Sequence, residues 1–126
     1  MYSKYSIVLK AVWVLLALQL GNTAAWAHAY PAASLPSDGV TVKESPHEMR
    51  IQFTEGIELA FSRITVKGPN GEVVSQGKLR QLANDTIAID LKPLPLGNYT
   101  AEWQVLSVDT HITEGVLHFT VGAQGN

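Results

Sequence analysis

The sequence predicts an all-β domain, a Greek-key β-sandwich of about seven strands. From His28 onward, apolar residues do not recur with the 3.6-residue period of a helix for longer than a turn or two. Short runs of β-forming residues alternate there with Gly, Pro, Asn and Asp. The 126 residues are 46% hydrophobic and 16% charged, as is typical of one globular domain. Short strands in a chain of this length favour a sandwich of the immunoglobulin-like or cupredoxin-like type over a barrel.

The first 27 residues are predicted to be a cleaved signal peptide. Lys4 and Lys10 precede or border the apolar run 11–20, and Ala25-Trp26-Ala27 follows it. Basic residues, an apolar stretch of this length and small residues before the cleavage point are the features of a secretory signal. A retained membrane anchor needs about 20 apolar residues, and this run is shorter. The sequence therefore predicts cleavage after residue 27, a periplasmic location and a single mature domain, 28–126.

The composition of the mature chain excludes several classes of function. Without the two leader lysines, seven basic and eleven acidic residues remain, a net charge of −4 with no basic run. A nucleic acid is therefore not the expected partner. The chain has no cysteine, so neither disulfides nor thiolate chemistry are available, and a metal site has to use imidazole, carboxylate, thioether or the terminal amine.

Alternating apolar residues predict the strands in chain order. Segments 49–53 and 63–67 alternate, and the turn signal at 68–71 predicts a hairpin that continues into 72–74. Further strands are expected at 86–90, 99–105 and 115–121. Two predicted core faces follow from the alternation, Tyr99, Ala101, Trp103 and Val105 on one strand and Leu117, Phe119 and Val121 on the last. Tyr99 at a strand entrance also fits a tyrosine corner.

His28 is an unusual first residue for a mature chain. Its α-amine and its ring Nδ1 can close a chelate on one metal ion, and two nitrogens of this kind suit Cu(II). The reference pKa values are about 7.7–8.0 for the amine and about 6.5 for the ring, so few protons are displaced near neutral pH. The alternative is that cleavage happens to leave a histidine, with no metal involved.

Asp109 and His111 are a second candidate pair. They are two residues apart in the segment 107–111, so in an extended segment they point the same way and offer an oxygen and an imidazole nitrogen. An Asp that caps a turn beside an exposed His explains the same spacing. The loop between the last two strands gathers at one end of a sandwich, where the mature N-terminus can also lie, and this favours the metal interpretation.

The remaining candidates are weaker. His118 is predicted to face outward on the last strand, and His47 lies in a turn. Met49 is the only methionine of the mature chain, so no cluster of soft ligands exists. Motifs of serine hydrolases, nucleotide-binding loops, zinc proteases and dinucleotide folds are absent from the sequence. Glu55 and Glu58 have the spacing of an acid/base pair, but solvated charges are the simpler interpretation.

Six segments together resemble the copper-resistance protein C (CopC) family of periplasmic copper carriers. They cover essentially the whole mature chain: His28 after Ala-x-Ala, 31–32 with 36–39, 51–56, 97–100 running into Trp103, 107–111, and Gly115 with 119–121. The resemblance implies a seven-stranded sandwich that binds one Cu(II) ion through the amine and imidazole of His28, the imidazole of His111 and an oxygen of Asp109. It also implies that Glu55 acts as a weak ligand or holds the N-terminus or a bound water.

The chain departs from the family in one respect. Some members carry a methionine-rich Cu(I) site in the middle of the chain, and residues 66–76 contain neither Met nor His. The resemblance therefore implies a Cu(II)-only carrier, not an enzyme, that passes copper to a membrane copper transporter. Two alternatives remain open at the level of sequence: an oxidative copper enzyme with a terminal-histidine site, and a metal-free interaction domain.

Overall fold

The computed structural model describes residues 28–123. They contain eight strands, β1 (Pro31–Leu35), β2 (Val40–Val42), β3 (Glu48–Phe53), β4 (Ile57–Lys67), β5 (Ser75–Ala83), β6 (Thr86–Leu91), β7 (Gly97–Ser107) and β8 (Ile112–Val121). No helix long and apolar enough to cross a membrane occurs in this range. The predicted signal peptide, residues 1–27, lies outside the described residues, so its cleavage stays a prediction.

The strands form two four-stranded sheets, ordered β1-β3-β6-β5 and β2-β8-β7-β4. Neighbouring strands are antiparallel except β2 and β8, which run parallel. The predicted all-β sandwich is therefore confirmed, with eight strands where about seven were expected. The strands without a matching sequence prediction are β1, β2 and β5, which lie at sheet edges and show little alternation of burial.

The core lies between the two sheets, where the predicted faces of β7 and β8 are buried. Two aromatic pairs fill it: Phe53 meets Trp103 edge-on with ring centroids 5.3 Å apart, and Tyr99 stacks on Phe119 at 5.4 Å. The Tyr99 hydroxyl donates a hydrogen bond of 2.7 Å to the Pro95 carbonyl. The predicted tyrosine corner is thus present, and it fixes the entrance to β7.

The predicted hairpin is present but shorter than expected, because residues 72–74 form an isolated bridge and not a strand. The turn exists, with the Gly71 N–H donating to the Gly68 carbonyl at 3.0 Å, but only a single bridge, Lys67 to Val73, follows it. The chain then crosses to the other sheet as β5. Val74 lies at the crossing point: its side chain is buried in the core, its N–H donates to the Val66 carbonyl of β4 at 2.8 Å, and its carbonyl accepts from the Lys92 N–H at 2.9 Å.

One end of the sandwich gathers four segments, 28–30, 54–56, 84–85 and 108–111, and is called the His28 end below. Backbone hydrogen bonds of 2.8–2.9 Å connect its loops, from the Val108 N–H to the Gly56 carbonyl and from the Ile57 N–H to the Asn84 carbonyl. The topology therefore brings the first described residues and the β7–β8 loop to the same end.

Candidate metal centre

Residues 28–30 are fixed between the two sheets before β1 begins. The Thr54 hydroxyl donates to the His28 carbonyl at 3.2 Å and accepts from the Tyr30 N–H at 3.1 Å. The Thr113 hydroxyl donates to the Ala29 carbonyl at 2.6 Å, and Ala29 is fully buried. Because Thr54 directly follows β3 and Thr113 lies in β8 of the other sheet, these two residues form a clamp on the chain.

The clamp places His28 beside His111. Their ring centroids are 4.9 Å apart and the rings are inclined at 68°. Nδ1 of His28 is buried and has no hydrogen-bond partner within residues 28–123. Buried polar atoms in folded proteins almost always have a partner, so this nitrogen needs one. A metal ion bound at Nδ1 would supply it, and the imidazole and carboxylate donors at this end are ligands that Cu(II) accepts.

The loop that carries Asp109 and His111 is tightly closed. The Ser107 N–H donates to the His111 carbonyl and the Thr110 N–H donates to the Ser107 carbonyl, both at 2.9 Å. Thr110 has a φ of 73°, in the left-handed region that β-branched residues rarely adopt. Within this closed loop, Nδ1 of His111 lies 3.3 Å from Oδ1 of Asp109. The predicted pair is therefore held together by the backbone of its own loop.

The carboxyl of Asp109 is stabilised in its charged form. The Ser107 hydroxyl, which hydrogen-bonds to Oδ1, is the main reason that the pKa of Asp109 lies below its ordinary value of 3.8. Desolvation opposes this shift, while the backbone N–H and the ring of His111 add to it. Asp109 is thus an anion at neutral pH and can act as an oxygen ligand for a cation.

Glu55 lies in the turn between β3 and β4, next to the clamp residue Thr54, and is half-buried. Its side chain makes no hydrogen bond or ion pair within residues 28–123, so its role beside the metal stays a prediction. In the same range, no group of three or more His, Asp or Glu side chains is already arranged as a complete metal site. The His28 and His111 rings with Asp109 beside them are therefore a partly assembled donor set.

The other candidate ligands lie apart from this group. His118 and His47 are exposed, as predicted, and His118 lies on the outer face of β8. Met49 is fully buried in the core. Soft sulfur ligands are thus absent from the surface of residues 28–123.

The charged residues in the segments that form the His28 end and in the strand portions next to it are acidic. The segments 28–42, 51–62, 81–91 and 104–117 contain no Lys or Arg. They do contain carboxylates, including Glu55, Glu58, Asp85, Asp109 and Glu114. Such a distribution raises the local concentration of cations and lowers that of anions near the loops.

Sequence reasoning missed the residues that support this arrangement. Thr54 and Thr113 act on partners 26 and 84 residues away, so no local pattern could identify them. From the sequence alone, Ser107 is only the first residue of the segment 107–111, with no role of its own. Its spacing of two residues from Asp109 fits a local side-chain hydrogen bond, and that spacing is the one signal that could have identified it.

The chain is similar to known proteins of one family. The CopC domain family matches residues 32–122. Protein YobA of Escherichia coli (strain K12) is 31% identical over 119 residues, which cover 90% of this chain and 94% of YobA. Copper transport protein CutJ of Bacillus subtilis (strain 168) is 33% identical over 115 residues, which cover 87% of this chain and 21% of CutJ.

A solved structure shows the same fold. The crystal structure of CopC from Methylosinus trichosporium OB3b matches with a TM-score of 0.67 and 31% sequence identity, over 75% of this chain and 93% of that one. Family match, relatives and structure agree with each other and with the sequence resemblance. The chain therefore belongs to the CopC family of copper-binding proteins.

Proposed function

We propose that the mature chain is a periplasmic carrier that binds one Cu(II) ion through His28, His111 and Asp109. The observation that carries the proposal is the approach of the two imidazole rings to 4.9 Å, with Nδ1 of His28 buried and lacking a hydrogen-bond partner in the described range. Two imidazoles and one carboxylate are a donor set that suits Cu(II), which also has the highest affinity among the common divalent metals.

The fourth donor is the α-amine of His28, created if the signal peptide is cleaved after residue 27. Amine and Nδ1 of one residue form a chelate, which costs little ordering entropy. The clamp of Thr54 and Thr113 holds the carbonyls of His28 and Ala29, so the first residue of the mature chain is already positioned when copper arrives. Glu55, one residue after Thr54, is proposed to hold a bound water or the amine.

The site binds copper without turning over a substrate. Release follows either protonation of the amine and rings or reduction to Cu(I), which prefers soft ligands. Met49 is buried in the core, so the surface of residues 28–123 offers no thioether to keep Cu(I). The proposed recipient is a membrane copper transporter. Its support is that CutJ, whose name describes copper transport, contains a segment similar to this chain within a much longer protein.

A comparison of two N-termini tests the proposal. The mature protein that begins at His28 and a version with two additional residues before it are titrated with Cu(II) and studied by electron paramagnetic resonance. We expect a one-to-one nitrogen-rich signal for the first and a large loss of affinity for the second.

Equal binding by both proteins would exclude the amine as a ligand. Binding by neither would favour a metal-free interaction domain. Copper-dependent turnover in the presence of a reductant and oxygen would identify an enzyme instead of a carrier.

A further inference from the structure

We propose that Ser107 is a positioning residue for the copper site, whose hydroxyl fixes Asp109 so that only one of its carboxylate oxygens is available to the ion. This assignment rests on the proposed function, because it concerns how one of the proposed ligands is oriented. Ser107 does not itself contact the metal in this assignment.

The burial of Ser107 is the first observation. It is the last residue of β7, it is fully buried, and no other polar or charged residue in 28–123 is buried. A buried hydroxyl is stable only when it is hydrogen-bonded. All side-chain contacts found for this hydroxyl go to the loop that carries the two ligands.

The single proton of the hydroxyl determines how these contacts are divided. Its closest acceptor is Oδ1 of Asp109, so the proton is donated there. The His111 N–H lies 3.4 Å from the oxygen of Ser107 and 3.3 Å from Oδ1 of Asp109, so these two acceptors share it. The His111 carbonyl, 3.1 Å from the hydroxyl, already receives the Ser107 backbone N–H at 2.9 Å. Each group in the loop therefore has a defined role.

Two hydrogen-bond donors converge on Oδ1 of Asp109. These are the Ser107 hydroxyl and the backbone N–H of His111 at 3.3 Å. A carboxylate oxygen has two lone pairs, so Oδ1 has no capacity left for a metal. Oδ2 is then the oxygen that binds copper.

A double-mutant cycle tests whether Ser107 acts through Asp109. Copper affinity is measured by competition with a chromogenic chelator for the wild type, Ser107→Ala, Asp109→Ala and the double variant, all beginning at His28. We expect Ser107→Ala to weaken affinity about threefold to tenfold, no more than the loss of Asp109 itself, because Ser107 acts only through that ligand. In the Asp109→Ala background the same change is expected to cost less than about twofold.

Electron paramagnetic resonance distinguishes a positioning role from a purely structural one, because the copper hyperfine splitting depends on how the ligands are arranged. The copper hyperfine splitting is expected to change in Ser107→Ala, because the oxygen ligand is no longer fixed. Ser62→Ala is the matched control, since Ser62 also bonds backbone groups, the Glu58 carbonyl and the Leu106 N–H, but touches none of the proposed ligands. The Ser62→Ala variant should leave both the copper affinity and the hyperfine splitting unchanged.

The outcomes separate this assignment from the proposed function. An equal loss of affinity in both backgrounds, or no loss in either, overturns the role of Ser107 alone. Absence of Cu(II) binding by the wild type overturns the proposed function and this assignment together. If Ser107→Ala does not fold, Ser107→Thr and Ser107→Val replace it, because they have the same shape and only threonine keeps the hydroxyl. Equal copper affinity of these two variants would contradict the assignment.

Discussion

Thr113 and Ala29 are 84 residues apart in sequence and are joined by a hydrogen bond of 2.6 Å from the Thr113 hydroxyl to the Ala29 carbonyl. Thr113 lies two residues after His111, and Ala29 directly follows His28. The start of β8 and the loop before it thus hold the residue next to His28, the first proposed ligand, and also provide His111, the second proposed ligand. Copper affinity is therefore expected to depend on Thr113, although it is not a ligand.

Thr113→Val removes this hydrogen bond while keeping the shape of the side chain. We expect copper affinity to fall about fivefold to tenfold, because residues 28–30 lose one of the hydrogen bonds that position them. The free energy of unfolding should fall by about 1 kcal/mol, the usual contribution of one hydrogen bond. Chelator competition measures the first quantity and urea denaturation the second.

The control for this variant is Thr120→Val on the same strand. The Thr120 hydroxyl donates to the Asn98 side chain at 2.8 Å, far along β8 from the His28 end. The Thr120→Val variant should lose no more stability than Thr113→Val and should bind copper with wild-type affinity. An equal loss of affinity in both threonine variants would show that the clamp has no specific role.

The proposed ligands predict a graded series of alanine variants. His111→Ala is expected to lower copper affinity at least about 100-fold, more than is typical of residues outside the ligand set. Asp109→Ala should cost less, about tenfold, because an exposed oxygen ligand is partly replaced by water. Isothermal titration of each variant measures the change.

The two remaining histidines serve as controls in that series. His118→Ala and His47→Ala remove exposed imidazoles away from the His28 end, so both should bind copper as the wild type does. A loss of affinity in either variant that matches that of His111→Ala would place the site elsewhere.

The sequence predicted the strands whose side chains alternate between core and solvent. β7 is the clearest example, because Tyr99, Ala101, Trp103 and Val105 alternate with more exposed neighbours and are all buried. The edge strand β5 could not be predicted in this way, since most of its residues are exposed and its pairing with β6 is interrupted by register shifts. Burial on one face is what generates the pattern, and an edge strand lacks it.

The candidate site shows the same division between local and tertiary information. Asp109 and His111 could be paired from their spacing, because a closed loop of five residues brings them together. The approach of His28 depends on the clamp, whose hydrogen bonds connect residues distant in sequence. Sandwich topology allowed the N-terminus to lie at that end and the family resemblance implied the approach, but no local pattern encodes it.

Asp85 is predicted to make the stability of the copper-free protein sensitive to acid. Its pKa is lowered from 3.8, first by the Thr86 hydroxyl at 2.8 Å and then by the Gln52 amide at 3.2 Å. A carboxyl whose pKa is lower in the folded state contributes stability that is present above the unfolded value and lost as the pH falls through the folded value. The contribution of Asp85 should therefore fall progressively as the pH drops below about 4.

Urea unfolding of the wild type and Asp85→Asn at pH 6 and pH 3 measures this effect. The wild type is expected to be the more stable protein at pH 6, and the difference should shrink at pH 3, where the carboxyl is largely protonated in the unfolded state. A chelator in the buffer keeps both proteins free of copper. If the two proteins differ in free energy of unfolding by the same amount at both pH values, Asp85 makes no pH-dependent contribution to stability.

Gly115 is predicted to be required for the packing of Trp103. The two residues are paired across β7 and β8, and a Cβ added to Gly115 would lie 2.6 Å from Cζ2 of the indole. The indole cannot move away easily, because Trp103 is buried and packs edge-on against Phe53. Gly115→Ala is therefore expected to destabilise the protein by about 1–3 kcal/mol, the usual cost of overpacking a core.

A second substitution separates overpacking from a loss of backbone freedom. Trp103→Phe removes the part of the indole that an alanine at 115 would meet, so the two changes together should cost clearly less than the sum of their separate effects. Val116→Ala, at the next and half-exposed position of β8, should change the free energy of unfolding by no more than about 0.5 kcal/mol. Strictly additive effects of Gly115→Ala and Trp103→Phe would instead indicate that Gly115 is needed for the strand itself, independent of the indole beside it.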